Sequence, residues 1–303
     1  MSRSRHNRLL NHHGPAELMS YLPLSNLQCP LCQQGLSQTE QSWRCPSGHS
    51  FDIARQGYVN LLPVQNKRSK DPGDSRDMVN ARRDFLDTGV YQPLAAAINS
   101  KLMPLLTEGK TVSILDAGCG EGYYLNQLCH ALLPRQPAIQ ACGLDISKWA
   151  VRACRARNPG LEGVVASNRQ LPFSTSSQDI VLCNFGFPVF DEFKRVLKPG
   201  GLIVMLDAGP DHLIELRERL YPEVRRNPVS SLAAELNEQW QLVVDQQLNY
   251  SSPTIPQQQL QWLLAMTPHF YRSSQEARQS VQQITALTVT IDVQLRILKN
   301  FSQ

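Results

Sequence analysis

The chain has 303 residues, of which 42% are hydrophobic and 18% are charged, and its formal net charge is +4. This length accommodates one large domain and one small domain, and the composition is ordinary for a soluble protein. No apolar run reaches the ~18–20 residues that a membrane-spanning helix needs. We find no signal-peptide core either, so the sequence predicts a cytoplasmic protein.

The excess of basic residues lies in the N-terminal part of the chain. Residues 1–70 contain eight Lys and Arg against three Asp and Glu, whereas the remainder is almost balanced. A segregated excess of positive charge favours a polyanionic partner. Residues 1–26 also lack regular apolar periodicity, and we predict that they form a disordered basic extension.

Four candidate metal ligands follow this extension. They are Cys29, Cys32, Cys45 and His49, in the spacing C-x2-C-x12-C-x3-H, and prolines and a glycine place each pair on a tight turn. Three thiolates and one imidazole suit tetrahedral Zn²⁺ and leave no open position, so the site would be structural. A unit of about forty residues cannot bury a sufficient core without such a cross-link. We therefore predict a zinc-binding domain over residues 27–63.

A basic linker and a helix are predicted over residues 64–88. Asp74 or Ser75 can cap a helix that continues to Leu86. Solvated linker charge and contact with phosphate groups are about equally compatible with the cations of this segment. Its candidate RNA-binding residues are Lys67, Arg68 and Lys70.

A glycine-rich turn follows the predicted buried strand 112–115. Its glycines, Gly118, Gly120 and Gly122, occupy alternate positions after an acid, Asp116. Glycine lets the backbone turn sharply and approach a ligand without a Cβ in the way. A dinucleotide fold would place the third glycine one position later. The sequence instead resembles motif I of the class I methyltransferases, which bind S-adenosylmethionine.

The rest of the chain, residues 89–303, has the strand and helix order of that class. Asp145 ends the second predicted strand, where acids bind ribose hydroxyls in such sheets. We predict further strands over 141–145, 163–168, 179–184, 202–206, 241–249 and 286–298. We predict helices over 123–133, 147–157, 192–197, 257–266 and 274–284.

These features occur in one order: the cysteine and histidine spacing, the run 57–62, the basic linker and the glycine-rich turn. In that order they resemble the 23S ribosomal RNA (guanine-N1)-methyltransferase family. The resemblance implies an α/β class I methyltransferase, Rossmann-like, with a seven-stranded sheet and a small N-terminal zinc ribbon. It also implies methylation of guanine N1 in a 23S rRNA hairpin. The family's cofactor pocket would include Tyr91, Gly120, Glu121 and His212.

The segment after the fourth strand of the large domain departs from the pattern of that family. It contains Asn184-Phe-Gly-Phe-Pro188, which keeps an aromatic residue but lacks its hydroxyl group. Asn184 is compatible with an amide that faces a purine edge and equally with an ordinary turn residue. No catalytic residue is assigned. Two alternatives stay open: an RNA- or ribosome-binding module with a non-catalytic methyltransferase-like domain, and a methyltransferase with another substrate. A homodimer is compatible with the sequence.

Overall fold

In the computed structural model, residues 21–66, 69–232 and 239–301 are described. Most of the predicted basic extension, and the predicted RNA contacts Lys67 and Arg68, therefore lie outside the described residues. Within these ranges, no helix is long and apolar enough to cross a membrane.

A central sheet of eight strands organises the chain, in the order β10-β13-β9-β8-β5-β6-β7-β4. The strands from β9 to β4 are parallel, while β13 is antiparallel to both of its neighbours. The members of this sheet are β4 (Tyr58–Asn60), β5 (Val112–Ala117), β6 (Ile139–Asp145), β7 (Glu162–Val165), β8 (Gln178–Asn184), β9 (Leu197–Ala208), β10 (Trp240–Ser251) and β13 (Thr290–Asn300). All six residues of β5 are buried, as expected for a central parallel strand.

Helices connect these strands and pack on the sheet. They are α1 (Arg76–Leu86), α2 (Gln92–Leu102), α3 (Tyr123–Leu132), α4 (Lys148–Arg157), α5 (Phe190–Val196), α6 (Ile214–Leu220), α7 (Gln257–Ala265), α8 (His269–Arg272) and α9 (Gln275–Gln282). The serine caps explain two of the boundaries. Ser75 accepts a hydrogen bond from the Met78 backbone at 3.3 Å, and Ser147 accepts one from the Trp149 backbone at 3.2 Å.

Two small sheets and two 3₁₀ turns complete the part of the fold that the described ranges cover. The N-terminal ribbon is an antiparallel sheet of β1 (Ser37–Gln38), β2 (Ser42–Arg44) and β3 (Ser50–Asp52). The other small sheet pairs β11 (Ile255–Pro256) with β12 (Ala286–Leu287), and the 3₁₀ turns cover Val64–Asn66 and Met103–Leu105.

The class I methyltransferase fold is confirmed, but the predicted count of seven strands is wrong by one. The additional strand is β4, which comes from the apolar run that follows the zinc ligands. It pairs in parallel with β7, with Tyr58 opposite Gly163, and Val59 is 3% exposed. A Cβ at position 163 would lie 3.1 Å from Cβ of Tyr58, so the glycine permits this close approach.

The ribbon also shares a hydrophobic core with the sheet. Buried Leu27 and Trp43 of the ribbon region lie in one cluster with Leu115, Phe173 and Val181 of the large domain. The domain boundary expected at residue 63 therefore does not separate two cores.

Residues 21–26 lie against the sheet, although the sequence placed them in the extension. The Leu22 amide donates a hydrogen bond to the Ile139 carbonyl at 2.8 Å, and the Gln140 side chain donates one to the Pro23 carbonyl at 2.7 Å. Leu24 is 7% exposed. The reason is that this short segment satisfies its backbone groups on a neighbouring strand rather than in water.

Candidate active site and zinc site

The four predicted zinc ligands lie together. Two turns present them, one in which the Gln33 amide bonds to the Cys29 carbonyl and one in which the Gly48 amide bonds to the Cys45 carbonyl. Their ligand atoms all lie within 4.8 Å of one another. Nδ1 of His49 is 3.5 Å from Sγ of Cys29 and 3.3 Å from Sγ of Cys45.

These distances fit a tetrahedral metal ion. Zinc bonds of about 2.0–2.3 Å separate tetrahedral ligand atoms by roughly 3.5–3.8 Å. The Sγ atoms of Cys32 and Cys45 are 3.6 Å apart, which lies within this range. Zinc is therefore a structural cofactor of the ribbon, held by three thiolates and one imidazole, with no position left for a substrate.

The candidate active site lies at the carboxyl ends of the parallel strands. The strand order reverses between β5 and β8, which is where ligands bind in open α/β sheets. Asp116, Asp145 and Asn184 stand at the ends of the three adjacent strands β5, β6 and β8. The glycine-rich turn between β5 and α3 lies at the same edge.

The glycines of this turn have the conformation that the sequence suggested. Gly118, Gly120 and Gly122 have φ of 102°, 53° and 83°, which a residue with a Cβ rarely adopts. A Cβ at Gly122 would lie 2.6 Å from Sγ of Cys154, whereas one at Gly118 would meet nothing within 4 Å. The turn thus packs closely on α4 and leaves open space at Gly118.

The carboxylate of Asp145 fixes this turn. Its Oδ2 accepts a hydrogen bond from the Gly120 amide at 3.1 Å, and its Oδ1 accepts one from the Ser147 amide at 2.8 Å. Each carboxylate oxygen has a second lone pair, so Asp145 can also accept bonds from two hydroxyl groups of a ligand.

Asp116 is a second carboxylate at this edge of the sheet, and burial raises its pKa as it raises the pKa of Asp145. It is 2% exposed, and burial, together with the neighbouring acids Asp145 and Glu121, raises its pKa to about 8. The folded protein therefore favours a protonated Asp116 near neutral pH. A ligand that carries positive charge would favour the ionised form.

Glu121 is held by a cation that the sequence did not single out. Its Oε2 is 2.5 Å from Nε of Arg157, and Nη1 of Arg157 is 2.9 Å from Oδ1 of Asp87. The second carboxylate oxygen of Glu121 is buried and has no hydrogen-bond partner in the part of the chain that the structure describes. A buried acceptor in that state is available to a ligand.

An aromatic cluster borders the glycine-rich turn. Phe185 stacks on His212 with ring centroids 5.9 Å apart, and its ring is 6.3 Å from that of Tyr91 and 6.4 Å from that of Tyr124. The Tyr124 hydroxyl is buried, and no residue within 21–66, 69–232 or 239–301 bonds to it. Aromatic faces of this kind attract cations, including a sulfonium group.

Hydrogen bonds fix the tautomer of His212. Its Nδ1 accepts from the Asp292 amide at 3.3 Å, so in the neutral ring the proton is on Nε2, which donates to the Tyr91 hydroxyl at 3.0 Å. Burial lowers the pKa of His212 to about 4, so the ring is neutral at pH 7. The hydroxyl hydrogen of Tyr91 is then left to bond elsewhere.

Arg82 is a second residue that sequence reasoning missed. Its Nη1 is 2.6 Å from Oδ2 of Asp74, and its Nη2 donates to the Met266 carbonyl at 3.2 Å. A Cβ at Gly120 would lie 3.4 Å from Nη1 of Arg82. This guanidinium group therefore lies directly against the glycine-rich turn, and no spacing rule points to it.

The described part of the linker lies across the turn between β6 and α4. Asp71 accepts a hydrogen bond from the Trp149 indole at 2.9 Å and pairs with Lys148 at 3.0 Å, while the Ser147 hydroxyl donates to the Asp74 carbonyl at 2.7 Å. Lys70 is the one predicted RNA contact within the described ranges. It is exposed and directly precedes Asp71 in this part of the linker.

The site fits S-adenosylmethionine. It offers an open glycine cradle, a carboxylate with free lone pairs, buried polar atoms without partners, and aromatic rings for the sulfonium group. Arg82 and Arg157, which lie beside this turn, are each paired with a carboxylate, Asp74 and Glu121, so they suit a diphosphate poorly.

Comparison with known protein families assigns both parts of the chain. Residues 27–70 match the zinc-ribbon family described as "RlmA, N-terminal", and residues 114–201 match the family described as "Methyltransferase domain".

Curated relatives match along most of their length. A protein of Micromonospora griseorubida is 35% identical over 65% of this chain and 70% of its own. A protein of Bacillus subtilis is 31% identical over 90% of this chain and 96% of its own. Both carry the name 23S rRNA (guanine-N(1)-)-methyltransferase. A third, 32% identical over 73% of this chain and 78% of its own, is the 23S rRNA (guanine(748)-N(1))-methyltransferase of Streptomyces fradiae. The chain belongs to the family of 23S rRNA (guanine-N1)-methyltransferases.

Proposed function

We propose that the protein transfers a methyl group from S-adenosylmethionine to N1 of a guanine in a 23S rRNA hairpin. One structural observation carries the nucleic-acid part of this proposal. Phe185 and Phe187, just beyond the end of β8, are 41% and 90% exposed, and Phe185 borders the cofactor edge. A base removed from its helix binds such rings by stacking. A small polar substrate would have no use for them.

The cofactor side of the proposal assigns roles to the predicted residues. S-adenosylmethionine supplies an electrophilic methyl group when it is bound. Asp145 accepts hydrogen bonds from its ribose hydroxyls, and the backbone at Gly118 and Gly120 gives it room. The other proposed contacts of the cofactor are Tyr91, Asp116, Glu121, Gly122 and His212.

The chemistry requires orientation and desolvation more than strong acids or bases. Methyl transfer is an in-line displacement: the bond from N1 to the methyl group would form as the sulfonium C–S bond breaks, S-adenosylhomocysteine would leave, and the N1 proton would be lost to a base or to water. The nucleophilic nitrogen must therefore face the methyl group in a desolvated site. Guanine N1 is paired in a hairpin stem, so the base must leave its helix to react. The exposed phenylalanines can stabilise the displaced base, which offsets part of the lost stacking.

We also propose RNA contacts for cations of the basic linker and of the loops at the carboxyl ends of the strands, next to the cofactor site. Lys70 and Arg76 are exposed, with the Arg76 guanidinium over the Trp149 ring, and Arg169 is exposed in the loop after β7. Lys67 and Arg68 remain part of the proposal. Each phosphate contact that is lost should flatten the log–log salt dependence of RNA affinity by roughly 0.7–0.9. Titration of a variant with Lys67, Arg68 and Lys70 changed to Ala measures this slope.

Methyl transfer to hairpin transcripts tests the proposed reaction. Labelled S-adenosylmethionine should label a 23S rRNA hairpin, and nuclease digestion should yield N1-methylguanosine. A hairpin that already carries a methyl group at N1 of the target should accept no label. Cofactor binding without any labelled RNA would favour the non-catalytic module or another substrate.

Two finer points complete the proposal. The cytoplasm is the proposed location, because a ribosomal RNA substrate is found there. The homodimer stays a prediction, and sedimentation equilibrium of the purified protein measures it.

A further inference from the structure

Asn184 has an amide group that the folded protein does not use. Both Nδ2 and Oδ1 are buried, and neither has a hydrogen-bond partner among the described residues. Buried amides in native proteins are almost always hydrogen-bonded, because desolvation without a partner is unfavourable. An amide that lacks both partners in the free protein therefore points to a ligand.

The position of this amide is fixed by the turn that follows it. Asn184 is the last residue of β8. Two residues earlier in β8, Leu182 lies opposite Asp116 of the neighbouring strand β5. The Phe185 amide bonds to the Leu206 carbonyl at 2.8 Å, and a Cβ at Gly186 would be 3.7 Å from the Ala117 carbonyl oxygen. The turn thus packs against the end of β5, just before the glycine-rich turn.

The backbone of this turn is strained at Phe185. Its φ is 52°, in the left-handed region that bulky residues rarely adopt. Strain of this kind persists where the surrounding structure determines it, often at functional sites. Here it places the Phe185 ring on His212 and leaves the neighbouring Asn184 amide at the cofactor edge.

The reaction restricts which edge of the base the amide can contact. A methyl group approaches N1 in the plane of the ring, along the direction of the departing N1 proton, so no protein group can cover N1. The adjacent 2-amino group and N3 of guanine present a donor beside an acceptor. An asparagine amide presents an acceptor beside a donor and is complementary to that pair.

We propose that Asn184 recognises the target guanine through its 2-amino group and N3. Oδ1 accepts a hydrogen bond from the amino group, and Nδ2 donates one to N3. This inference rests on the proposed function and makes Asn184 a specificity-determining residue. Adenine and hypoxanthine lack the 2-amino group and would leave Oδ1 buried without a partner, which disfavours them.

A hairpin with inosine at the target position tests the inference, because inosine differs from guanosine only in lacking the 2-amino group. For the wild type, kcat/KM should be at least about tenfold lower on the inosine hairpin than on the guanosine hairpin. Asn184→Ala should lose activity on both hairpins, because both bases keep N3, but it should lose about tenfold more on guanosine, so that its preference falls close to one. Asn184→Asp keeps the acceptor and should retain most of the preference.

Three controls separate recognition from folding. S-adenosylmethionine affinity should be unchanged in Asn184→Ala, and its thermal midpoint should not fall, because none of the described residues bonds to the lost polar atoms. Gln241→Ala removes an exposed amide at the opposite edge of the sheet and should keep the full preference for guanosine.

The outcomes are distinguishable. Equal activity of the wild type on both hairpins, or an equal loss of Asn184→Ala on both, overturns the role of Asn184 and leaves N1 methylation standing. If the wild type makes no N1-methylguanosine on the guanosine hairpin, the proposed function itself is overturned, and the inference falls with it.

Discussion

The ribbon and the large sheet are stabilised in different ways. The central strand β5 is buried along its whole length, whereas β1 is exposed at both of its residues and β3 has no buried residue. A unit with so little buried surface depends on its metal ion. Yet buried Leu36 and Trp43 lie in one cluster with Leu115 and Val181. The ribbon is therefore held by zinc on one side and by the sheet on the other.

Zinc removal is expected to have the largest effect. Structural zinc contributes about 10–16 kcal/mol in small zinc-binding peptides, which is comparable to the whole stability of a domain. Because the cores are shared, Cys29→Ser with Cys45→Ser should release the zinc and also speed hydrogen exchange in β4 and β7. Chelation of the wild type should do the same, and zinc added back should reverse it. Unchanged exchange in β7 would mean that the two regions are energetically independent.

Phe173→Ala tests the shared core from the side of the sheet. Phe173 is fully buried in the cluster that includes the ribbon, and it forms a backbone bridge with Leu27. The cavity should lower the free energy of unfolding by about 3–5 kcal/mol. Zinc affinity should fall as well, which a chelator competition measures.

Phe85→Ala is the matched control for Phe173→Ala. Phe85 is equally buried, but it belongs to α1 and lies in the other core cluster. A similar loss of stability with unchanged zinc affinity is expected. If both variants weaken zinc equally, the effect comes from general destabilisation and the specific coupling is absent.

Asp145→Ala tests how much one carboxylate of the sheet contributes to cofactor binding. Loss of a charge-assisted acceptor costs about 1.5–3 kcal/mol, so the dissociation constant of S-adenosylmethionine should rise about tenfold or more by calorimetry. Asp179→Ala is the control, because that carboxylate bonds to Ser113 and Lys198 near the opposite edge of the sheet. It should reduce stability and leave the affinity unchanged. An unchanged affinity in Asp145→Ala would exclude the ribose role.

Much of this molecule was predictable because its signals are local. The zinc ligands follow from spacing, and α1 and α4 begin where Ser75 and Ser147 cap them. The glycine-rich turn follows from three alternating glycines, whose left-handed φ values need that residue.

What could not be predicted depends on partners that are distant in sequence. Strand β4 has only three residues, too few to show a period, and its partner β7 begins about a hundred residues later. Arg82 and Arg157 look like ordinary helix cations until the fold places them at the turn and at Glu121. Whether the Asn184 amide has hydrogen-bond partners depends on which residues surround it in the folded protein, so the sequence pattern does not reveal it.

The smallest expected effect is the release of protons when zinc binds to the ribbon and when S-adenosylmethionine binds at the sheet. Zinc requires deprotonated thiols, so its binding releases protons in the ribbon. In the sheet, Asp116 has a pKa of about 8 and is protonated near neutral pH. A cofactor with net positive charge favours the ionised carboxylate and lowers this pKa. S-adenosylmethionine affinity should therefore rise with pH between about 6 and 7.5, by at most about 1.4 kcal/mol per pH unit.

Calorimetry in two buffers with different ionisation enthalpies counts these protons. The wild type should release up to one proton on binding S-adenosylmethionine below pH 7. Asp116→Asn cannot ionise, so it should bind the cofactor without that release, while its proton release on zinc binding should be the same as in the wild type. Proton release with S-adenosylmethionine that persists in Asp116→Asn would assign the titration to another group. Loss of both releases would show that the cofactor edge and the ribbon are coupled through the core that they share.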